Sequence, residues 1–313
     1  MVKVSVNIVT FNSAGDIEEC LRSIRRQSLQ DYRIRILDNA STDDTLSRAR
    51  PFEAEVIVSS ANTGFSGGHN RLIRGFDSEY VLVLNPDSSL RPDFLASIVR
   101  ALDARPDAGS ASGKLLRMDN TTIDSTGMIM LRSQRHLDRG AGDPDIGQFD
   151  KPEDIFGPSG AAALYRRKAL EDAAINGEYF DEDFFAYRED ADLAWRLRLL
   201  GWTSIYVPGA VAQHRRRVTP ERRGQLPKLI NYHSVKNRFL LRINNMTRSL
   251  YLRDFWPILV RDLMVGGYVV VREWSSLPAL FYVVRHFPRL WQKRLRIQQK
   301  ARVPSPEMES WFT

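Results

Sequence analysis

At 313 residues, 43% of them hydrophobic, the chain can bury a full core, which excludes a disordered tail or a disulfide-stapled miniprotein. Its single cysteine, Cys20, falls in an amphipathic Ile17, Cys20, Leu21, Ile24 pattern, so no disulfide framework exists within the chain and a reducing compartment is the default. The formal charge of +7 is uneven: residues 215–300 hold 19 Lys/Arg against 4 Asp/Glu, leaving about −8 for the remainder, and such a basic end fits nucleic acid, anionic lipid or a phosphorylated substrate.

In chain order, Lys3 to Val9 reads as a strand ending at Thr10-Phe11-Asn12, and the spacing after Asp16 predicts a helix to about Gln27. Arg33 to Asp38 is a second strand ending in an acid. Asn39-Ala-Ser-Thr-Asp43 follows as turn and helix cap, and Glu55 to Ser59 is a third strand. The glycine-bearing stretch Asn62 to Asn70 precedes a helix through Leu72, Ile73 and Phe76. Val81 to Leu84 form a run apolar on both faces that ends at Asn85-Pro86-Asp87, a strand delivering one carboxylate to the edge of a sheet. Strand and helix alternate here as in a parallel sheet built from right-handed crossovers, with the polar ends on one rim, where open α/β sheets bind ligands. An acid in that place suits Mg²⁺ or Mn²⁺, which take few protein oxygens and complete their shell with phosphate and water; it also suits a plain turn after Pro86.

A helix from Pro92 to about Leu102 and a strand from Ala108 to Leu116 come next. Residues 119–154 lose periodicity and are rich in Gly, Asp and Arg, which predicts loops with a hairpin and a mobile segment. Pro158 to Tyr165 reads as a glycine turn feeding a strand, and residues 166–173 as a short helix. Three acids, Glu189, Asp190 and Asp192, open a helix whose Leu193, Leu197, Leu200 stripe ends at Gly201. Thr203 to Val207 is the last strand, stopped by Pro208, with His214 beyond it. The apolar runs 255–260, 265–271 and 277–284 are each far short of the roughly 20 residues that cross a bilayer, and Arg261, Asp262, Arg272, Glu273 and Arg285 interrupt them. They predict a helical appendage that either packs on the main domain or lies in a membrane interface. The chain passes from Met1 directly into a strand without a leader pattern, from which cytoplasmic exposure is expected.

Thr10-Phe11-Asn12, Asp38-Asn39-Ser41-Asp43, Asn62-Gly64-Phe65-Gly67-Asn70, Asn85-Pro86-Asp87, Phe184-Phe185-Tyr187-Glu189-Asp190-Asp192-Leu193-Arg196 and His214, in this order, resemble family 2 glycosyltransferases with the GT-A fold, nearest by look to the rhamnosyltransferase-like branch. The resemblance covers about residues 1–215. It implies an α/β, Rossmann-like, mostly parallel central sheet flanked by helices, a catalytic domain over 1–218, and a basic C-terminal helical region over 219–313. Sugar transfer from a nucleotide donor needs three things: a grip on the nucleotide, neutralisation of the departing phosphates and a base for the acceptor hydroxyl. By resemblance Thr10, Asn12, Asp38, Asn62, Gly64, Asn70, Asn85 and Asp87 would meet the donor, Asp38 taking the pyrimidine base. Asp87 and His214 would hold Mg²⁺ or Mn²⁺, Asp190 would be the base, and Glu189 would touch the acceptor.

Simpler readings stand beside these. Asp38 caps the turn through Asn39 to Ser41, the glycines shape a structural loop, and three acids in a first turn answer the helix dipole. Trp195 and Trp202 are core or acceptor-wall aromatics. The family pattern places an Asp where this chain has Asn85, which leaves Asp87 as the main carboxylate. The resemblance further implies single displacement with inversion, a dTDP- or UDP-sugar donor with dTDP-rhamnose to the fore, and a polyprenyl-diphosphate-linked or oligosaccharide acceptor in cell-wall or surface-glycan synthesis. It also implies placement on the inner, anionic face of the cell membrane, without nucleic acid, and with homo-oligomerisation open. Two rivals fit less well. A sugar-phosphate nucleotidyltransferase needs a Gly- and Arg/Lys-rich loop after the first strand, unlike Thr10-Phe-Asn-Ser-Ala-Gly15. A non-catalytic nucleic-acid binder does not account for acids gathered on one rim.

Overall fold

The structure is a computed structural model that describes residues 1–217 and 227–313. Its first half alternates as the pattern predicts: β1 (Val2–Thr10), α1 (Ile17–Arg25), β2 (Tyr32–Asp38), α2 (Thr45–Ala49), β3 (Glu55–Val58), α3 (Gly64–Arg74) and β4 (Ser78–Leu84). These strands run parallel in the order β4-β1-β2-β3, with Thr10 beside Asp38 and Ile8 beside Leu84. Val81 to Leu84 have no accessible surface, because both faces of the sheet are covered. Leu82 and Leu84 pack with Ile24 and Ile98, and Val81 and Val83 with Leu170 and Leu197. Each such side chain contributes about 1.5–3 kcal/mol by leaving water.

The second half departs from an all-parallel plan. After β5 (Ser88–Leu90), α4 (Phe94–Asp103) and β6 (Ala108–Leu116), the chain adds β7 (Ile123–Ser125), β8 (Met128–Met130), β9 (His136–Asp138), β10 (Glu153–Asp154), β11 (Ala162–Arg166), α5 (Arg167–Ala173), α6 (Glu189–Leu199) and β12 (Thr203–His214). Strand β11 lies antiparallel between β4 and β6, so the sheet is mixed. Pro208 does not end the last strand. The β12–β6 register shifts between Val207 and Val211, a bulge in which a missing N–H costs no ladder bond. Gly113 makes room for that bulge, since a Cβ there would run into the Ala210 carbonyl. His214 is therefore carried on the strand itself.

The aperiodic stretch 119–154 is tied down instead of loose. Residues 123–128 are buried, β8 and β9 pair as a hairpin, and Lys114 meets Asp145 at 3.0 Å and Asp150 at 2.6 Å. Its order comes from ion pairs across long sequence distances, which leave no periodic trace.

The C-terminal helices are α7 (Lys228–Asn245), α8 (Arg248–Arg253), α9 (Phe255–Arg272), α10 (Leu277–Lys300) and α11 (Ser305–Glu309). The boundary expected at 218/219 lies outside the described residues. On either side of it the chain shares one core: Leu240, Leu241, Leu290 and Phe312 pack with Trp195, Phe156 and Met130. The terminus is itself paired, Thr313 N donating to the Met130 carbonyl and Arg132 N to the Thr313 carbonyl. Packing on the main domain holds for α7, which is largely buried, while α9 leaves Trp256, Leu263, Met264 and Val271 exposed. Among the described residues no helix is long and apolar enough to cross a membrane.

Candidate active site

At the ends of β1 and β2 the polar groups serve one another. Thr10 Oγ1 donates to Asp38 Oδ1 at 2.9 Å, and Ser41 N donates to Asp38 Oδ2 at 2.9 Å. Thr10 and Asp38 are fully buried, so the structure gives them to the turn and not to the wall of a cleft. Asn12 is exposed at φ +50, its side chain accepting from Thr42 N. Asn39, read from the sequence as turn material and as part of the Asp38-Asn39-Ser41-Asp43 motif, ties the end of β2 to the start of α3: its amide donates to the Gly64 carbonyl and accepts from Thr63.

The glycines lie inside α3, which begins about two turns earlier than the pattern predicts. Gly68 lets the helix approach β1, where a Cβ would strike Val9, and Gly64 at φ +75 lies against the carbonyl of Phe185. Asn62 accepts from Gly64 N. Asn70 is fully buried and held by four hydrogen bonds, accepting from Tyr179 N and Phe180 N and donating to the Phe180 carbonyl and Glu182. It splints the approach to α6 and does not reach the rim, contrary to its expected donor contact.

The far side of the rim is drawn together by sheet pairing. Ser88 on β5 opposes His214 on β12, and Arg215 N donates to the Asp87 carbonyl, which sets Asp87 Oδ1 3.4 Å from His214 Nε2. The other ring nitrogen, Nδ1, meets the carboxylate of fully buried Asp124 at 2.7 Å, and Arg216 Nε holds the second Asp124 oxygen at 2.6 Å. Burial opposes a charge on His214, but the hydrogen bonds to Asp124 and Asp87 outweigh it and push the imidazole up to about 9. Asp124 sits in the stretch read as loop, and no local signal marked it.

Asn85 N donates to the carbonyl of Ala161, next to Gly160, whose N donates to Asp190 Oδ2 at 3.0 Å. Asp190 thus stands on the same rim as Asp87, and Tyr187 lies within electrostatic reach of both Glu189 and Asp87. Burial raises the Asp190 carboxyl against the Gly160 hydrogen bond, and burial plus the Asp190 charge raises Glu189 well above the ordinary carboxylate range. Glu189 is nearly inaccessible, and among the described residues its Oε2 has no partner. Asp192 is occupied by Arg196, Asn244 and Asn245, and Trp195 is core.

Three of the four residues directly before Glu189 have positive φ: Phe185 (+65), Tyr187 (+72) and Arg188 (+73). Such backbone costs about 1–3 kcal/mol per residue and persists only when its surroundings over-determine it. Asn237 on α7 does this, its amide donating to the carbonyls of Phe184, Ala186 and Tyr187 at 2.7–2.9 Å, while Phe185 stacks on His233. Nothing in the sequence connected Asn237 to the acids.

Asp87 and His214 fit a divalent cation. An imidazole nitrogen faces a carboxylate oxygen while the other nitrogen is oriented by a buried carboxylate, the arrangement that fixes histidine ligands elsewhere. Among the described residues no group of three or more His, Cys, Asp or Glu side chains could hold a metal, so a cation between Asp87 and His214 would take its remaining ligands from phosphate and water.

Residues 5–173 match the family model for Glycosyl transferase family 2. The chain belongs to that family and is a glycosyltransferase. It is 28% identical over 235 residues, 66% of its own length and 74% of the relative's, to the N-acetylglucosaminyl-diphospho-decaprenol L-rhamnosyltransferase of Mycobacterium tuberculosis. It is 22% identical to the poly-beta-1,6-N-acetyl-D-glucosamine synthase of Staphylococcus epidermidis, over 90% of this chain and 63% of that one. Among solved structures, the mannosyltransferase of Pyrobaculum calidifontis in complex with GDP-mannose and Mn²⁺ superposes with a TM-score of 0.55 at 18% identity, covering 95% of this chain and 85% of that one. The fold is that of GT-A glycosyltransferases.

Proposed function

We propose that this glycosyltransferase transfers L-rhamnose from dTDP-rhamnose to a polyprenyl-diphosphate-linked sugar in cell-wall or surface-glycan assembly, with inversion at the anomeric carbon. The observation that carries the reading is the shared rim: Asp190, fixed by Gly160, stands beside the strand end that presents Asp87 to His214. The Asp190 carboxylate, made more basic by burial, takes the proton of the acceptor hydroxyl. The hydroxyl oxygen bonds to the anomeric carbon, and the bond to the nucleoside diphosphate breaks with its electron pair on phosphate. Glu189 Oε2, lacking a partner among the described residues, offers a hydrogen bond to the acceptor. Asp87 Oδ1 and His214 Nε2 would hold Mg²⁺ or Mn²⁺, which supplies neutralisation of the leaving diphosphate. Asn12, Asn62 and Asn85, at the carboxyl ends of β1, β3 and β4, border the space for the nucleotide.

The mycobacterial relative supports the donor and acceptor, and the exposed apolar and basic face of α9 and α10 supports a site of action on an anionic membrane surface at the inner face of the cell membrane. The test is consumption of a panel of dTDP- and UDP-sugars with a prenyl-diphosphate-linked N-acetylglucosamine acceptor, with Mg²⁺, Mn²⁺ or chelator. Transfer from dTDP-rhamnose that stops with chelator is the expected result. A preference for a UDP-sugar would replace the donor, and undiminished turnover in chelator would remove the metal.

A further inference from the structure

Between the β8–β9 hairpin, the start of α6 and helices α7 and α9 lies a gathering of arginines that the chemistry above does not use. Arg238 lies within electrostatic reach of Arg188, Arg261 and Arg242, and of the carboxylate of Asp262, and Arg135 lies within reach of Arg261. Arg188 Nη1 is 3.1 Å from His136 Nδ1, and the His136 ring has Arg135, Arg188, Arg216 and Arg238 around it. Among the described residues few carboxylates stand close to Arg135, Arg238 and Arg261. Asp262 pairs with Arg242 at 2.8 Å, and Asp124 and Asp138 pair with Arg216. Among the described residues neither Arg135 nor Arg238 forms a close ion pair, although Asp262 acts on Arg238 from a distance, and Arg261 Nε is buried without a hydrogen bond. All of these side chains are half-buried, where mutual repulsion is screened less than in water.

Two further facts narrow what the cluster is for. Arg188 immediately precedes Glu189 and Asp190, so the cations border the acids on the side of the C-terminal helices. Arg242 also lines an apolar groove of about 560 Å³ between α7, α8, α9 and α10, walled by Phe239, Met246, Tyr251, Phe255, Ile258 and Trp291. Arg242, with its partner Asp262, thus stands where the cationic cluster meets this groove.

We propose that Arg135, Arg238 and Arg261 bind the diphosphate of a prenyl-diphosphate-linked acceptor, and that the groove beginning at Arg242 takes the first units of its prenyl chain. The inference rests on the acceptor class proposed above and assigns it a place. Guanidinium groups match phosphate in geometry and charge, and a bound diphosphate relieves their repulsion. The apolar walls accept chain carbons that water disfavours.

The test uses the full chain in metal-free buffer with saturating dTDP to fill the donor pocket, and two probes, inorganic pyrophosphate and farnesyl diphosphate, followed by calorimetry and thermal shift. Wild type is expected to bind both, farnesyl diphosphate more tightly. Arg238→Gln and Arg135→Gln should each weaken both probes at least about tenfold, the cost of one charge-assisted hydrogen bond. Arg238→Lys should restore part of the loss, and Ile258→Asp should weaken farnesyl diphosphate alone. The arginine variants should melt no lower than wild type without ligand, because each removes a repulsion, and this separates lost binding from lost folding. Failure of wild type to bind either probe, or unchanged affinity in both arginine variants, overturns the assignment. Equal affinity for the two probes overturns its prenyl part. Binding as expected without transfer to any prenyl-linked acceptor would leave the anion site standing and defeat the acceptor reading instead.

Discussion

At the end of β2, Asp38 gives its oxygens to Thr10, on the neighbouring strand, and to Ser41, three residues on. At the start of α6, Asp190 leans on Gly160, and the loop before it leans on Asn237, about fifty residues away. The first half of the rim is assembled from groups that parallel crossovers bring together in order, and its positive-φ residues, Asn12 and Ala40, stand singly in the turns after β1 and β2. The second half holds three positive-φ side-chain residues in place with helices from the C-terminal region. One side is a local scaffold. The other is a strained element clamped from a distance, the arrangement expected where geometry serves chemistry.

The sharpest break of this contrast is Asp190→Asn. If the clamped side supplies the base, transfer should fall by about 10²–10⁴, while dTDP affinity, which belongs to the other side, stays within twofold. Steady-state kcat and nucleotide titration separate the two, and an active variant would move the base elsewhere. Next in size is Asp124→Asn, which leaves His214 without its orienting carboxylate. Mn²⁺ affinity, read by electron paramagnetic resonance on the resting protein, should drop about 10–100-fold. An unchanged affinity would mean that His214 does not ligate.

The same contrast explains what could be read in advance. Strands β1 to β4 and the acids at their ends carry period, capping and turn signals, so their places on the rim were legible. The ordered set of motifs, running from Thr10 to His214, named the family. What stayed hidden was long-range. Asn237 and Asp124 are single polar residues in stretches whose local pattern says helix and loop, and their roles exist only once α7 meets residues 184–187 and β7 meets β12. Asn70 misled for the opposite reason: a motif position proved to be a splint with all its hydrogen bonds taken. Pro208 misled because a bulge, opened by Gly113, absorbs a residue that ordinarily ends a strand.

Two smaller perturbations sharpen the clamped half. Asn237→Ala orphans three carbonyls in a loop of unfavourable φ, at a cost of about 2–3 kcal/mol. The melting temperature should fall by several degrees and the acceptor KM should rise, while the donor KM holds. A drop in stability with both KM values unchanged would reduce Asn237 to a packing role. Glu189 tests the electrostatics. Burial and the neighbouring Asp190 charge raise its carboxyl, and a group raised on folding stabilises fully below its unfolded value, about 4.3, and loses that contribution as pH climbs through the folded value. Glu189→Gln removes the loss. The variant should therefore melt with wild type near pH 4 and above it toward neutrality. A constant offset across that range would show that Glu189 ionises as an ordinary carboxylate.

The smallest effect concerns the outer face of the C-terminal helices, where Trp256 is 70% exposed and Trp274 69% exposed, alongside Leu263, Val271 and Phe281. Arg272 and Arg285 are exposed on the same helices. Each basic residue near an anionic surface contributes about 1 kcal/mol that salt screens, whereas inserted tryptophan is indifferent to salt. Vesicles rich in anionic lipid should hold the protein at low ionic strength and release part of it at high, and Trp256→Asp with Trp274→Asp should release the remainder. Retention by neutral vesicles equal to that by anionic ones would assign the attachment to the apolar side chains alone. Retention by neither would leave this face to another partner and confine the role of the C-terminal region to the clamp that α7 places on residues 184–188.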